Sequence, residues 1–153
     1  WDVVNRWEEE NLADVIYGYG EEKYARRIAR AIVKAREKKK IETSEELSEI
    51  IKNAVPYFYR FGRIHPATRT FQAIRIAVND ELKALEEGLK KGFGILREGG
   101  RMAVISFHSL EDRIVKKFFK LKQAEGEGEL INKKPIIPGD EEISKNPKAR
   151  SAK

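Results

Sequence analysis

Cysteine is absent from this 153-residue chain, and histidine occurs only twice, as His65 and His108. The absence of cysteine excludes disulfides, cysteine-ligated zinc, iron–sulfur clusters and a thiol nucleophile. Two histidines cannot form a multi-histidine metal site, so we expect no metal ligands in this chain. No apolar run approaches the roughly 20 residues that span a bilayer, so we expect no transmembrane helix and no membrane partner.

The chain also lacks an initiator methionine. It opens with Trp1-Asp2-Val3-Val4, without the basic-then-apolar pattern of a signal peptide, and we therefore expect an internal piece of a longer protein, with a removed leader as the alternative. Charge, by contrast, is abundant, with 31 Lys and Arg against 25 Asp and Glu. Hydrophobic residues make up 41% of the chain, which is enough for a core and excludes wholesale disorder.

The excess positive charge is concentrated in two regions. Residues 21–40 hold nine basic residues and three acids, and residues 54–79 hold four arginines and no acid. Aromatic residues are interleaved in the second region: Tyr57, Phe58, Tyr59, Phe61 and Phe71. Arginines neutralise phosphates and aromatic rings stack on splayed bases, which favours a nucleic-acid surface, for RNA more readily than for duplex DNA. The alternative is a solvated helix face followed by a core-facing aromatic loop.

Apolar spacing predicts helices throughout the first half of the chain. One short apolar face stops at Gly18-Tyr19-Gly20, and a longer one recurs every three or four residues from Tyr24 to Ala35. Thr43 with Glu46 predicts a capping box at the start of the next helix, which Pro56 ends. Residues 1 to about 65 are therefore predicted to form a small all-helical unit.

The second half shows a different pattern. Helical spacing predicts one long helix from Thr68 to about Leu96, and Met102–Ile105 is an apolar run typical of a strand buried on both faces. A helix from Leu110 follows, and this order predicts a crossover unit of an α/β sheet. The other strands would have to come from upstream sequence or another chain. The polar tail is predicted to be weakly ordered, with short edge strands at residues 130–131 and 136–137.

Polar residues follow the predicted strand, at the end where open α/β sheets bind ligands. His108 could move a proton, Ser106 or Ser109 could position a substrate, and Arg113 could hold a phosphate. The alternative is structural, with Ser109 capping the helix and Arg113 in a surface ion pair. No Gly-x-Ser-x-Gly elbow surrounds either serine, which excludes the Ser–His hydrolase arrangement.

The segment 65–72 joins the two halves and has two interpretations. In the functional one, Arg69 and the nearby hydroxyls face phosphate or ribose. In the structural one, Pro66 near a helix start and Thr68 as its N-cap need no ligand. Two glycine pairs, at positions 18 and 20 and at 126 and 128, do not follow a strand, so neither predicts a nucleotide-binding loop.

Four motifs together resemble one protein family in order and spacing. They are Tyr19–Glu22, His65–Ile76 with Val78-Asn79, Ser106–Arg113 and Asn146–Lys153. The family is the bacterial ribosomal RNA small subunit methyltransferase H family, also called MraW. Its members transfer a methyl group from S-adenosylmethionine to N4 of a cytosine in 16S rRNA, and the resemblance covers essentially the whole chain.

The resemblance implies an α/β fold: an incomplete class I, Rossmann-like methyltransferase sheet domain with an inserted all-helical domain. Residues 1–65 would be most of the insert, and residues 66–153 the carboxyl-terminal part of the sheet domain with a polar tail. The family's amino-terminal half, which holds its main S-adenosylmethionine contacts, has no counterpart here. No cofactor-binding residue is therefore assigned, and we expect the isolated chain to be inactive.

For the reaction that the resemblance implies, we hypothesise roles for individual residues. His108, Ser109 and Ser106 would line the pocket that receives the flipped cytosine. Seven residues would engage 16S rRNA in the small ribosomal subunit: Arg63, His65, Arg69, Arg75, Arg113, Arg26 and Arg30. Such an enzyme is expected in the cytoplasm, without a DNA partner, and with the missing half or a second copy as a candidate protein partner. The competing hypothesis is a free-standing basic RNA-binding or ribosome-associated module without catalysis.

Overall fold

The structure is a computed structural model that describes all 153 residues, and it consists of helices joined by loops. The α-helices are α1 (Asp2–Arg6), α2 (Glu9–Gly20), α3 (Ala25–Lys38), α4 (Ser44–Ala54), α5 (Thr68–Asn79), α6 (Glu81–Gly94), α7 (Ser109–Ala124) and α8 (Asp140–Lys145). Two 3₁₀ helices span Tyr57–Phe61 and Pro147–Ser151. No helix is both long and apolar enough to cross a membrane. The chain forms two compact units, Trp1–Asp80 and Glu81–Lys153.

The first unit is a bundle arranged around α2. Helix α2 packs against α3 and α5, and α3 also packs against α1 and α4. Large aliphatic side chains with no more than 1% of their surface exposed fill the centre: Leu12, Ile16, Ile28, Ile32, Ile51, Val55 and Ile76. Their spacing places them on the inward faces of their helices, and each buried side chain of this size stabilises the fold by roughly 1.5–3 kcal/mol.

The predicted capping box at the start of α4 is confirmed. Thr43 Oγ1 accepts a hydrogen bond from the Glu46 backbone N–H at 3.1 Å, and Glu46 Oε2 accepts one from the Thr43 N–H at 3.3 Å. A hydrogen bond from Lys39 and two from backbone N–H groups lower the pKa of Glu46 to about 2. The helix ends at Ala54, just before Pro56, as the sequence predicts.

The single long helix predicted from Thr68 to Leu96 is wrong. The chain forms α5 and α6 instead, and Asp80 between them adopts a left-handed conformation with φ of 51°. Aspartate adopts this left-handed region more readily than most residues because its short polar side chain can hydrogen-bond to the neighbouring backbone. The Asp80 N–H donates to the Ile76 carbonyl and closes the last turn of α5.

The predicted α/β sheet is also wrong, since no residue of this chain lies in a β-strand. Residues 102–105 are not helical and belong to no ladder, and Ile105 is 72% exposed, so the segment is not buried on both faces. Strand N–H and C=O groups need a neighbouring strand as a partner, and this chain supplies none alongside them. The predicted edge strands at 130–131 and 136–137 are loop residues for the same reason.

The second unit is built on the packing of α6 against α7. The ring of Phe93 meets that of Phe118 edge to face, with centroids 5.8 Å apart. Helix α8 packs against the 3₁₀ helix Pro147–Ser151, so the tail is more ordered than predicted. By its contacts the chain divides at Asp80, because α5 packs on α2. The assignment of residues 1–65 and 66–153 to two domains of a longer protein stays a prediction.

Candidate functional site

The loop before α7 places His108 as the N-cap of that helix. Its Nδ1 accepts a hydrogen bond from the Glu111 backbone N–H at 3.3 Å. In return, Glu111 Oε2 accepts from the backbone N–H groups of Phe107, at 2.8 Å, and of His108, at 3.2 Å. The helix start is therefore a capping box made by a histidine. The predicted cap, Ser109, is instead the first residue of the helix.

The capping bond determines which hydrogen bonds the imidazole of His108 can still make. Because Nδ1 accepts from a backbone N–H, a neutral ring carries its proton on Nε2. That nitrogen is buried and has no hydrogen-bond partner, although Glu111 Oε1 lies 3.4 Å away. Buried polar groups are usually paired, so an Nε2–H without a hydrogen bond is an exception in this fold.

The other residues predicted beside His108 lie on the same loop and the first turns of α7. Ser106 is buried, and its backbone exchanges two hydrogen bonds with Lys153, at 3.0 and 2.9 Å. Ser109 and Arg113 are four residues apart on α7 and therefore share one face of that helix. The structure thus brings the predicted residues of the second unit together around one helix terminus.

Asp112 forms a small charged network at the same helix start. Its Oδ2 accepts hydrogen bonds from Lys116 Nζ at 2.7 Å and from Lys153 Nζ at 3.1 Å. Burial raises the pKa of the Asp112 carboxyl, but the two lysines outweigh this effect and hold the pKa below its usual value. The side chain and the backbone of Lys153 therefore both contact the loop that carries the predicted catalytic residues.

In the first unit, two of the motifs that suggest the family contact each other. Arg69 donates from Nη1 to the Glu21 carbonyl at 2.9 Å, and Gln72 donates from Nε2 to the Tyr19 carbonyl at 3.2 Å. Gly20 lies between them, where a Cβ would come within 2.7 Å of the Arg69 carbonyl oxygen. The start of α5 is therefore fastened to the end of α2, and Arg69 has a structural role whatever else it binds.

Most of the basic residues predicted to bind RNA in this unit are exposed. Arg26 and Arg30 lie one turn apart on α3, and the exposed set also includes Arg63, His65 and Arg75. Arg30 Nε lies 3.4 Å from Glu9 Oε1, an exposed pair that contributes little to stability. The imidazole of His65 accepts from the Ala67 N–H at 3.2 Å, which fixes the turn into α5. Their roles in RNA binding stay a prediction.

A buried carboxylate in the first unit was missed by the sequence reasoning. Glu22 has no exposed surface; its Oε1 accepts from the Tyr24 N–H at 2.9 Å and its Oε2 from the Tyr59 hydroxyl at 2.7 Å. Lys23 Nζ lies 5.1 Å from the Tyr24 ring centroid and 5.3 Å from that of Tyr59. The sequence identified Glu22 only as an acid near a helix start, and no local signal identifies its distant tyrosine partner.

The residues of this chain do not form a site that fits a nucleotide-like cofactor. A nucleotide-binding glycine turn comes directly after a strand, and neither glycine pair does so, because the chain has no strand. A depression of about 500 Å³ at the start of α2 is lined by other residues, namely Arg6, Trp7, Glu8, Asn11, Asp14 and Val15. None of these is a predicted site residue.

Comparison with known proteins shows what this chain is similar to. It is 58% identical over 153 residues to "Ribosomal RNA small subunit methyltransferase H" of Persephonella marina. The alignment covers 100% of this chain and 52% of that relative. Proteins of the same name from Sulfurihydrogenibium sp. and Coprothermobacter proteolyticus are each 55% identical over 153 residues, across 52% and 50% of their lengths. The chain thus spans about half the length of these curated relatives. A sequence profile described as the MraW methylase family matches residues 1–153, and the chain belongs to that family.

Proposed function

We propose that this chain is the carboxyl-terminal portion of an S-adenosylmethionine-dependent methyltransferase that methylates N4 of a cytosine in 16S rRNA. The observation that carries the proposal is the family match over residues 1–153. It is supported by relatives above 50% identity whose names specify methylation of small-subunit ribosomal RNA. We further propose that the protein acts in the cytoplasm, where its rRNA substrate is assembled into subunits.

The second unit supports the view that the working protein is longer than this chain. Only three of its apolar side chains are buried, Leu89, Leu110 and Ala149. More than twice as many large apolar side chains are exposed there: Ile95, Leu96, Ile105, Phe107, Leu121, Ile131, Ile136 and Ile137. Exposed apolar surface of this extent is typical of surfaces that contact other polypeptide. A free-standing RNA-binding module would instead be expected to cover these side chains itself.

The cofactor would be held by the part of the relatives that this chain does not cover. No residue described above forms a cradle for it, so we assign none to S-adenosylmethionine and derive no transfer step through it. We therefore expect the isolated chain to bind RNA but not to methylate it. The contribution of this chain to the reaction is to hold the base and the RNA around it.

The loop before α7 has groups that suit a cytosine taken out of its stack. The ring of cytosine presents the acceptors N3 and O2, and the Nε2–H of His108 is a buried donor without a partner. We assign His108 to one of these ring acceptors rather than to the amine, because the capping bond leaves it no acceptor nitrogen. Ser109 and Ser106 would position the base and its exocyclic amine, which needs hydrogen-bond acceptors as positive charge develops.

The basic residues of each unit would hold RNA backbone. In the first unit we assign this role to five exposed residues: Arg26, Arg30, Arg63, His65 and Arg75. Arg69 would also bind RNA, in addition to its hydrogen bond to the Glu21 carbonyl. In the second unit we assign it to Arg113. Because each neutralised phosphate releases counterions, the affinity should fall steeply as salt rises.

Two measurements test the proposal. The first is calorimetric titration of S-adenosylmethionine into the chain, for which we expect no binding. The second uses a chimera of this chain and the part of the Persephonella marina relative that it does not match, and follows methyl transfer to N4 of cytosine in small subunits. Transfer by the chimera supports the proposal. Saturable cofactor binding by the chain alone contradicts our division of the site, and RNA binding by a chimera without transfer favours the non-enzymatic module.

A further inference from the structure

We propose that Tyr57, Phe58 and Phe61 form a platform on which unpaired RNA bases stack, an inference that rests on the proposed RNA-binding function. The three residues belong to the 3₁₀ helix Tyr57–Phe61, here named the aromatic turn. Their side chains are 73%, 69% and 71% exposed, and the rings of Tyr57 and Phe61 meet edge to face with centroids 4.9 Å apart. Three large exposed rings within five residues form a local apolar patch, and such patches often mark interaction sites.

The aromatic turn is held rigidly from beneath. Tyr59, half-buried on the opposite side, donates to the buried Glu22 carboxylate at 2.7 Å and packs edge to face on Tyr24 at 4.9 Å. Arg60 Nη2 donates to the carbonyls of Asn53 at 3.3 Å and Val55 at 3.4 Å. These contacts anchor the backbone that carries the exposed rings, which reduces the ordering that binding a base against them requires.

The charge around the aromatic turn favours a polyanion. Residues 54–79 contain no acid, and the exposed Arg63 lies two residues beyond the turn. On the inward side, Lys23 Nζ lies 5.3 Å from the Tyr59 ring centroid. Aromatic rings beside an excess of positive charge are the combination that binds single-stranded nucleic acid, because the charges attract phosphates while the rings stack on bases.

The rings discriminate single-stranded from double-stranded RNA. In a duplex each base is already stacked on its neighbours, and its faces are closed to an external ring. The arginines, by contrast, contact phosphates in either form. The platform therefore confers a preference for unpaired RNA, beyond the sequence-independent attraction that the basic residues provide.

The test measures, by fluorescence anisotropy, the affinity of the 153-residue chain and its variants for a labelled RNA of about 12 nucleotides. Each protein is titrated against the RNA as a single strand and as a duplex. The principal variant combines Tyr57→Ala, Phe58→Ala and Phe61→Ala. A second replaces the same residues by leucine, which keeps apolar surface but removes the rings. The matched control is Tyr17→Ala, which removes an equally exposed ring, 68% exposed, from α2. Circular dichroism melting verifies that each variant is folded.

We expect the alanine and leucine variants to lose at least about tenfold in affinity for the single strand, with affinity for the duplex changed less than about twofold. Tyr17→Ala should match the wild type.

Wild-type affinity in the alanine variant overturns the platform and leaves the RNA-binding function intact, whereas wild-type affinity in the leucine variant shows that apolar contact, not stacking, operates. If the wild-type chain binds neither RNA, the platform and the proposed RNA-binding function both fall. Photocrosslinking of 5-iodouracil RNA to these three residues gives an independent positive result.

Discussion

The carboxylate of Glu22 and the hydroxyl of Tyr59 form a hydrogen bond of 2.7 Å that joins the loop before α3 to the aromatic turn. Glu22 has no exposed surface, so this bond and the one from the Tyr24 N–H replace the hydration that the carboxylate loses on folding. Burial, together with the hydrogen bond to Glu22, raises the pKa of Tyr59 to about 12. The bond therefore stabilises the unit only while Tyr59 keeps its proton.

Replacement of Tyr59 by phenylalanine tests this relationship. The ring remains, but Glu22 Oε2 loses its donor, so we expect the free energy of unfolding to fall by about 1–2 kcal/mol. Because folding raises the pKa of Tyr59, its stabilisation is complete below pH 10 and is lost as the pH rises towards 12. Urea denaturation at pH 8 and pH 11.5 should show a smaller difference between the two proteins at the higher pH. Tyr17→Phe, at an exposed position on α2, is the control, and an equal loss in both variants would contradict the assignment.

A second prediction concerns the close contact of α2 with α5. A Cβ on Gly20 would lie 2.7 Å from the Arg69 carbonyl oxygen, so Gly20→Ala should separate the helices and cost about 1–3 kcal/mol. Gly18→Ala is the matched control, because a Cβ there meets nothing within 4 Å and helix propensity favours alanine by about 0.5–1 kcal/mol. Thermal melting should move the two variants in opposite directions. Equal melting temperatures would show that α2 and α5 accommodate the added Cβ without loss of stability.

The features that the sequence predicted correctly are those set by neighbouring residues. The capping box of Thr43 and Glu46 needs two side chains three residues apart, and the end of α4 follows from Pro56. The break at Asp80 was missed because apolar spacing continues through it, and only the backbone conformation of one residue separates the two helices. The histidine cap of α7 was missed because histidine is not among the usual capping residues.

Features that depend on distant residues could not be predicted. Glu22 and Tyr59 are 37 residues apart in sequence, and nothing near Glu22 distinguishes a buried carboxylate from a solvated one. The apolar run at 102–105 predicted a strand, but a strand depends on the segments that lie beside it, which composition does not specify. For the site, the sequence places Ser106, His108 and Ser109 within four residues of each other at the start of α7, but it does not predict the bond between His108 Nδ1 and the Glu111 N–H, which leaves Nε2 without a hydrogen-bond partner.

A third prediction concerns the charged network of Asp112. Asp112→Asn removes the negative charge that Lys116 and Lys153 contact, and because both lysines are partly exposed we expect a loss of about 0.5–1 kcal/mol at pH 7. Folding lowers the pKa of this carboxyl, so the stabilisation is present above its usual value near 3.8 and disappears as the pH falls through the lower value of the folded state. Urea denaturation at pH 7 and pH 3 should show the difference shrinking in acid. Asp14→Asn, exposed on α2 without an ion pair, should change little at either pH, and an undiminished difference for Asp112→Asn at pH 3 would contradict the electrostatic cause.

The last prediction separates the two roles assigned to His108. His108→Ala removes both the cap of α7 and the imidazole, whereas His108→Asn keeps a side-chain oxygen that accepts from the Glu111 N–H. We expect the alanine variant to lose about 1 kcal/mol of stability and the asparagine variant to stay within about 0.5 kcal/mol of the wild type. In the chimera, both should lose methyl transfer, because neither supplies the buried Nε2–H donor.

Thr43→Ala provides the control for that experiment. It removes a cap of the same kind from α4 at a similar cost in stability, yet touches no residue assigned to the cytosine, so methyl transfer should persist. If His108→Asn transfers methyl groups as the wild-type chimera does, the imidazole has no role in holding the base. The helix cap alone would then account for the position of His108, because only the capping bond survives in that variant.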